Sequence, residues 1–294
     1  MEPLTFYIVD VFAEEKYAGN QLAVFTNAGT LSDIKMQKIA KEMNYSETTF
    51  VLSEEERTRG YDVRIFTPER EVPFAGHPTL GTAFIIQKEI MKKPVKEVIL
   101  NLKVGQIPVT LMYDNGILDT LWMKQMPPEF FQDFDPGEIS PVLSIDEKDI
   151  DNRFPIQEVS TGLPFIIVPL KSLDAAKRAK IAKDEYYELI ENTKAKAILI
   201  FCPEPCSKEN DLHVRVFVDY YGIPEDPATG SGNGCLAGYL VENLYFGKER
   251  IDIKVEQGYE IGRPSLLYLR AGKNKEIDVF VGGKVIPVAK GELI

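Results

Sequence analysis

The chain repeats itself. YAGNQLAVF, which contains Gly19, faces STGLPFIIV, which contains Gly162; TTFVL at Thr48 faces AILIF at Ala197; VRIF at Val63 faces VRVF at Val214; and the turn AGHPTLGTA faces TGSGNGCLA. Any one of these matches is weak, because apolar strands look alike. Four in the same order and at similar spacing describe a duplication, and a duplication limits the fold to two units of one kind. The expectation is two homologous α+β domains, one over about 1–120 and one, preceded by a linker, over about 121–280, facing each other across a pseudo-twofold cleft. Strands with one or two helices per half, rather than regular βαβ units, argue against a doubly wound parallel sheet.

Local patterns fill in the elements. TFYIVDVF and LAVF read as strands by their β-branched and aromatic content. Ser32 is placed to cap a helix whose apolar residues Met36, Ile39, Ala40 and Met43 recur at i, i+3, i+4 and i+7. The spacing predicts further strands at Thr48–Leu52 and Tyr61–Phe66. A helix from about Pro78 through LGTAFIIQKEI is apolar on most sides, so it belongs inside the concavity of a sheet. The Pro-rich, acidic stretch Pro127–Phe154 reads as a linker. Beyond it come a strand at VSTGLPFIIVPL, a helix from about Asp174 to Glu191, strands at AILIFC and LHVRVFV, and a glycine-rich turn into a last helix.

Composition removes several functional classes. A net charge of -11 repels phosphate backbones, and no Lys/Arg cluster interleaved with aromatics offsets it, so nucleic acid is not an expected partner. No apolar run approaches the roughly 18 to 20 residues that span a bilayer, and the start MEPLTFYIVD lacks a signal-peptide pattern. The expectation is a cytoplasmic protein with no membrane partner. Cys202, Cys206 and Cys235 are too few and too scattered for a disulfide framework. With His77 and His213 the only histidines and no H-E-x-x-H or C-x-x-C spacing, no metal is expected.

The duplicated turns carry the chemistry. Aligned, they set Gly76 and His77 opposite Gly230 and Ser231, each pair at the mouth of a helix. Unpaired N–H groups and the positive ends of two helix dipoles can hold a carboxylate or an enolate oxygen. A single glycine turn is ordinarily only a turn; the same polar place filled twice is less ordinary.

GNQLAVF at Gly19–Phe25, NYSETTFV at Asn44–Val51, VPFAGHPTLGTA at Val72–Ala83, EDPATGSGNGCLAGYL at Glu225–Leu240 and EQGYEIGRPS at Glu256–Ser265 resemble, in sequence and in order, the phenazine-biosynthesis isomerase family. The resemblance implies a diaminopimelate-epimerase-like fold: two related domains, each a mixed sheet curled around a central helix, with the active site in the interdomain cleft. It also implies function without a cofactor, a homodimer, and a final strand, about 281–294, that crosses back to complete the first sheet. Racemases on this fold use two cysteines at the helix mouths, but here His77 and Ser231 stand there, so a two-thiol mechanism is excluded. Glu47, in SET, matches the family's catalytic glutamate; a lone glutamate before a strand is otherwise a solvated surface residue, whereas in a partly desolvated cleft it can serve as general acid and base. His77, Asp226 and Ser231 match the other polar site positions; Ser231 and the backbone N–H groups of Gly76, His77, Gly230 and Ser231 could hold a carboxylate, with Asn20 lining the site. Asp226 could accept from a substrate amine or hydroxyl and keep His77 charged or oriented. His77 read alone could equally cap or pack, and Asp226 before Pro227 could be a turn residue. His213 has no motif and reads as structural.

The function expected is a cofactor-independent isomerase or epimerase that moves a proton on a small carboxylated substrate. Two other readings stand beside it. Gly232, Gly234 and Ala237 fit G-x-G-x-x-A of dinucleotide-dependent reductases, although DYYGIPEDPAT separates them from the preceding strand. A non-catalytic binding protein on the same fold is the other, and the Glu47, His77, Asp226 and Ser231 set argues against it, because a pure binder needs no ionisable group at a reacting carbon.

Overall fold

The computed structural model describes residues 4–294. They form two compact units, one made of residues up to Lys124 together with Gly282–Ile294, the other of Gln125–Val281.

In the first unit β1 (Leu4–Val11) and β2 (Asn20–Phe25) pair antiparallel. Helix α1 (Asp33–Met43) leads to β3 (Glu47–Val51), which lies parallel to β2, and β4 (Tyr61–Phe66) returns antiparallel to β3. Ser32 caps α1 as expected, its Oγ accepting the Lys35 N–H at 3.3 Å, and Asn44 ends it with a left-handed φ of 53°. Met36, Ile39 and Ala40 form the buried face of α1, packed with Phe25, Phe50 and Phe66. The Phe25 and Phe50 rings stack at 5.2 Å.

After the short β5 (Glu71–Val72), helix α2 (Gly76–Ile85) is buried along its whole length, as a helix apolar on most sides requires. It ends in a π turn over Ile86–Met91, shorter as an α-helix than the sequence pattern predicts. Strands β6 (Glu97–Leu102), β7 (Gly105–Asp114) and β8 (Ile117–Lys124) follow, and α2 packs against β1, β2, β3, β6, β7 and β8. Because side chains alternate along a strand, Phe50 faces α1 while Thr49 faces α2, where its hydroxyl shares a buried hydrogen bond of 2.8 Å with Thr82.

The second unit opens where a linker is expected, and the structure differs. Pro127–Phe154 folds into β9 (Glu129–Phe134) and α3 (Pro136–Leu143). Asp135 and Glu138 make a capping box around Pro136, and Ile139, Val142 and Leu143 enter the core. The acidic residues that suggest a linker are caps and a solvated face. Next, β10 (Ile156–Ser160) and β11 (Pro164–Pro169) form an antiparallel hairpin where the sequence suggests one strand.

The helix expected over 174–191 is two, α4 (Leu173–Arg178) and α5 (Lys183–Glu191). Between them Lys180 and Ala182 donate their N–H groups to the carbonyls of Leu143 and Val142 at the end of α3, a tertiary pairing that local propensity does not reveal. Strands β12 (Ala197–Cys202) and β13 (Leu212–Phe217), the buried helix α6 (Gly230–Glu242), and strands β14 (Arg250–Gln257), β15 (Ser265–Lys273) and β16 (Ile277–Gly283) complete the series. Strand β17 (Val285–Leu293) pairs antiparallel with β1.

The duplication is visible in the ladders. β1–β2, β2–β3, β3–β4, β4–β6 and β6–β7 are antiparallel, parallel, antiparallel, parallel and antiparallel. β10–β11, β11–β12, β12–β13, β13–β14 and β14–β15 repeat that order, with α2 and α6 at the same point in each. The register corrects one letter match. Leu22 lies opposite Glu47 and Thr48 opposite Phe66, while Phe165 lies opposite Ala197 and Ile198 opposite Phe217. Ala197 is therefore the counterpart of Glu47, not of Thr48. The second unit holds an apolar methyl where the first holds a carboxyl group.

Candidate active site

Glu47 opens β3, and the parallel partner strand β2 brings its own first residues, Asn20 and Gln21, to the same end. Glu47 is two residues from Thr49, so both point toward α2. Thr49 meets Thr82; Glu47, nearer the helix N-terminus, meets His77, with Glu47 Oε2 and His77 Nε2 at 3.4 Å. The Glu47 side chain is 19% exposed and that of His77 only 7%, so the carboxyl group is partly desolvated yet open to a ligand.

His77 is not the charged partner that such a distance suggests. Burial drives its pKa down to about 3 against a hydrogen bond to the Gln21 backbone that favours the proton. The ring is neutral near pH 7. Nε2 makes no hydrogen bond, which leaves Nδ1 as the N–H donor to the Gln21 carbonyl and Nε2 as a lone pair turned toward Glu47. Of the two states weighed for His77, charged or merely oriented, burial disfavours the charged one.

Helix α2 starts from Ala75, whose extended backbone (φ -153°, ψ 143°) offers no side-chain cap, so the Gly76 and His77 N–H groups belong to the open first turn. Thr79 closes the turn from inside, its Oγ1 donating to the Ala75 carbonyl at 2.7 Å. In the second unit Thr229 is the cap of α6, again without a side-chain cap bond, and Gly230 and Ser231 occupy the first turn. Asn233 Nδ2 donates to the Thr229 carbonyl at 3.0 Å, the counterpart of the Thr79 bond four residues along the helix. Asp226, 9% exposed, accepts from Thr229 Oγ1 at 2.5 Å, and its N–H goes to the Val216 carbonyl. Its neighbour Glu225 is gripped by Arg215 in a two-bond fork of 3.0 and 2.8 Å. Asp226 is both a turn residue and a fixed carboxyl group.

Asn20, Glu47, Gly76 and His77 are brought together at one end of the first unit's sheet. Asp226, Gly230 and Ser231 are gathered by the loop that enters α6. Sequence reasoning missed three supporting groups: the Gln21 carbonyl that fixes the His77 tautomer, and the side chains of Asn233 and Gln257 behind the Asp226 loop. Gln257 was in view within EQGYEIGRPS, but an interior glutamine has no signal of its own until strand register shows what it faces.

The dinucleotide fingerprint is overturned as a phosphate loop. Gly232 and Gly234 lie inside α6 and are buried. A Cβ on Gly232 would sit 3.1 Å from the Phe165 ring, so the glycine serves helix-to-sheet packing, and the helix starts well beyond the end of β13 at Phe217.

His213, fully buried, is ion-paired at both nitrogens: Nδ1 lies 2.8 Å from Glu256 and Nε2 3.2 Å from Glu260. Burial alone would lower its pKa, but the hydrogen bonds to Glu256 and Glu260 outweigh that and raise it. Cys206, His213 and Glu256 bring three candidate metal-ligand atoms within 4.8 Å of one another, which the sequence did not suggest. Within the cluster, His213 Nδ1 and Glu256 are bonded to each other at 2.8 Å. Glu256 accepts from the Cys206 and Ser207 N–H groups, Asn210 Nδ2 and His213, and its pKa is pulled down to about 2 despite burial. Burial and the Glu256 charge push the Cys206 thiol up to about 11. No helix among the described residues is long and apolar enough to cross a membrane.

Residues 9–291 match the family described as phenazine biosynthesis-like protein. The chain belongs to that family. It is 34% identical over 293 residues to the trans-2,3-dihydro-3-hydroxyanthranilate isomerase of Pseudomonas aeruginosa, covering 97% of this chain and 98% of that one. The crystal structure of a phenazine biosynthesis protein of the PhzF family from Bacillus anthracis superposes with a TM-score of 0.91 over the whole of both chains, at 26% identity. A hydroxyproline epimerase from Agrobacterium vitis shares the fold alone, with a TM-score of 0.62 and 9% identity over 100% of this chain and 91% of the other. This phenazine biosynthesis-like protein is an isomerase on the α+β fold that its repeat predicts.

Proposed function

We propose that the isomerase moves a proton on a small carboxylated substrate without a cofactor, with Glu47 as the group that takes the proton from carbon and gives it back. The observation that carries this reading is the Glu47–His77 pair. A general acid and base must sit where it is partly desolvated, reachable by substrate and comfortable in both protonation states. Glu47 meets the first two conditions by its 19% exposed side chain. For the third, a protonated Glu47 can donate to the Nε2 lone pair of a histidine that burial keeps neutral. His77 then orients the carboxyl group and does not compete as the base, because burial disfavours a second proton on its ring even though the Gln21 bond favours one.

In this reading a C–H bond of the substrate breaks as Glu47 accepts the proton. The electron pair delocalises toward the substrate carboxylate, and the proton returns from Glu47 to the same or a conjugated carbon. No redox partner is needed. Gly230 and Ser231 are assigned to the substrate carboxylate through first-turn N–H groups and the Ser231 hydroxyl, and Asp226 to an amine or hydroxyl. Asn20 and Gly76 are assigned to lining. The register supports a single acid and base, since Ala197 fills the place that corresponds to Glu47.

The test is a screen of small carboxylates in deuterium oxide read by proton NMR, with trans-2,3-dihydro-3-hydroxyanthranilate as the first compound because a relative is named for it. Loss of a carbon-bound proton signal, with or without a rearranged product, is the expected result. A chain that binds such a compound but neither exchanges its proton with solvent nor rearranges it would contradict the reading.

A further inference from the structure

Gln257 ends β14 with its side chain fully buried, and all of its amide is spent on the loop that carries Asp226. Nε2 donates to the Asp226 carbonyl at 2.7 Å and to Thr229 Oγ1 at 3.0 Å; Oε1 accepts the Thr229 N–H at 3.2 Å and Asn233 Nδ2 at 2.8 Å. The orientation is forced. Turning the amide over would set its oxygen against the Asp226 carbonyl. Thr229 has one hydroxyl proton and gives it to Asp226 Oδ2, so it must accept from Gln257. The side-chain donors therefore run in one direction, Asn233 to Gln257 to Thr229 to Asp226.

Two more observations tie this clamp to the loop rather than to the sheet. Gly258, at φ 79°, brings the chain so close to Pro227 that a Cβ would sit 2.6 Å from the Pro227 carbonyl oxygen. In the other unit Leu100 and Asn101, opposite Tyr61 and Asp62, correspond to Val255 and Glu256, opposite Leu212 and His213, so the next residue, Leu102, is the counterpart of Gln257. The fold itself thus accepts an apolar residue at this position, and the glutamine belongs to the Asp226 loop.

We propose that Gln257 is a positioning residue for substrate binding, one that aims the Asp226 carboxylate through Thr229 without touching substrate. This rests on the assignment of Asp226 to a substrate amine or hydroxyl and of the Gly230–Ser231 turn to a carboxylate. Removing the amide frees the Thr229 hydroxyl to turn away and loosens the Asp226 backbone, while the α6 first turn keeps its Asn233 bond to the Thr229 carbonyl.

The test compares the full chain with Gln257→Met and Gln257→Glu, measuring the affinity for anthranilate and for benzoate, which lacks the amine, beside hydrogen exchange at the Thr229 amide. The expected result for Gln257→Met is an anthranilate affinity lowered about tenfold, a benzoate affinity within about threefold of wild type, and Thr229 exchange faster by about tenfold or more, as loss of a buried hydrogen bond implies. Gln257→Glu, which keeps the acceptor but loses both donors, should show the same split. Equal losses for the two ligands with a lowered Tm would make Gln257 merely structural and overturn the proposal, as would no change in either. If the wild-type chain binds neither compound, the carboxylate-site assignment fails, and unchanged Thr229 exchange in the variants would independently overturn the clamp.

Discussion

His77 Nε2 lies 3.4 Å from Glu47 Oε2, and the histidine of that pair is the neutral partner. Nitrogen-15 NMR should show His77 as the Nδ1–H tautomer with an unprotonated Nε2 from pH 5 to pH 8, because its pKa stands near 3. An imidazolium signal for His77 at pH 6 would mean that the pair is an ion pair instead.

The two histidines should bend the stability curve in opposite directions. The pKa of His77 is lowered on folding, so the unfolded chain takes up its proton below about pH 6.5 while the folded chain does not, and stability declines as pH falls from there toward 3. The pKa of His213 is raised, so its contribution is complete below about pH 6.5 and disappears as pH rises through the folded value. Urea unfolding of His213→Gln should therefore show a larger loss at pH 6 than at pH 9. A His77→Gln chain should lose less, relative to wild type, at pH 5 than at pH 8. Losses that do not change with pH in either variant would refute these assignments.

The buried Thr49–Thr82 pair predicts non-additivity. Thr82→Val leaves the Thr49 hydroxyl without its partner and should cost about 1–3 kcal/mol, whereas Thr49→Val with Thr82→Val removes both groups and should recover most of that. Denaturant titrations of the three variants measure it. Additive losses would show that the hydroxyls do not depend on each other.

At the turn after β14, two left-handed glycines should respond differently. A Cβ on Gly258 would lie 2.4 Å from the Arg263 carbonyl oxygen as well as near Pro227, while one on Gly262, at φ 69°, meets nothing within 4 Å. Gly262→Ala should cost about 1 kcal/mol from backbone strain alone, and Gly258→Ala clearly more, on the order of 2–3 kcal/mol. Equal Tm values for the two variants would show that the approach to Pro227 is not tight.

Much of the fold was legible because duplication leaves paired traces: the AGHPTLGTA and TGSGNGCLA turns each open a buried helix at the same point of the ladder. What the letters could not supply was register. TTFVL and AILIF align as strings one residue away from their true correspondence, and a one-residue slip hides that Ala197 stands in for Glu47. Pro127–Phe154 misled because caps and linkers share the same residues, and the break at Ala179–Ala182 is made by carbonyls of α3 far away in sequence. At the candidate site, Glu47, His77 and Asp226 could be named from motifs. The charge state of His77 could not, since it depends on burial that only packing defines.

The account stands on Glu47 as the single proton carrier, and Glu47→Gln tests it most directly. Glutamine keeps the shape and most hydrogen bonds but has no exchangeable carboxyl proton. With a compound that the wild-type chain isomerises in deuterium oxide, proton NMR should show exchange and turnover lowered by at least about 100-fold in Glu47→Gln, and ligand affinity within about tenfold of wild type. A Glu47→Gln chain that still exchanges the substrate proton with solvent at close to the wild-type rate would contradict the account and remove Glu47 from the chemistry.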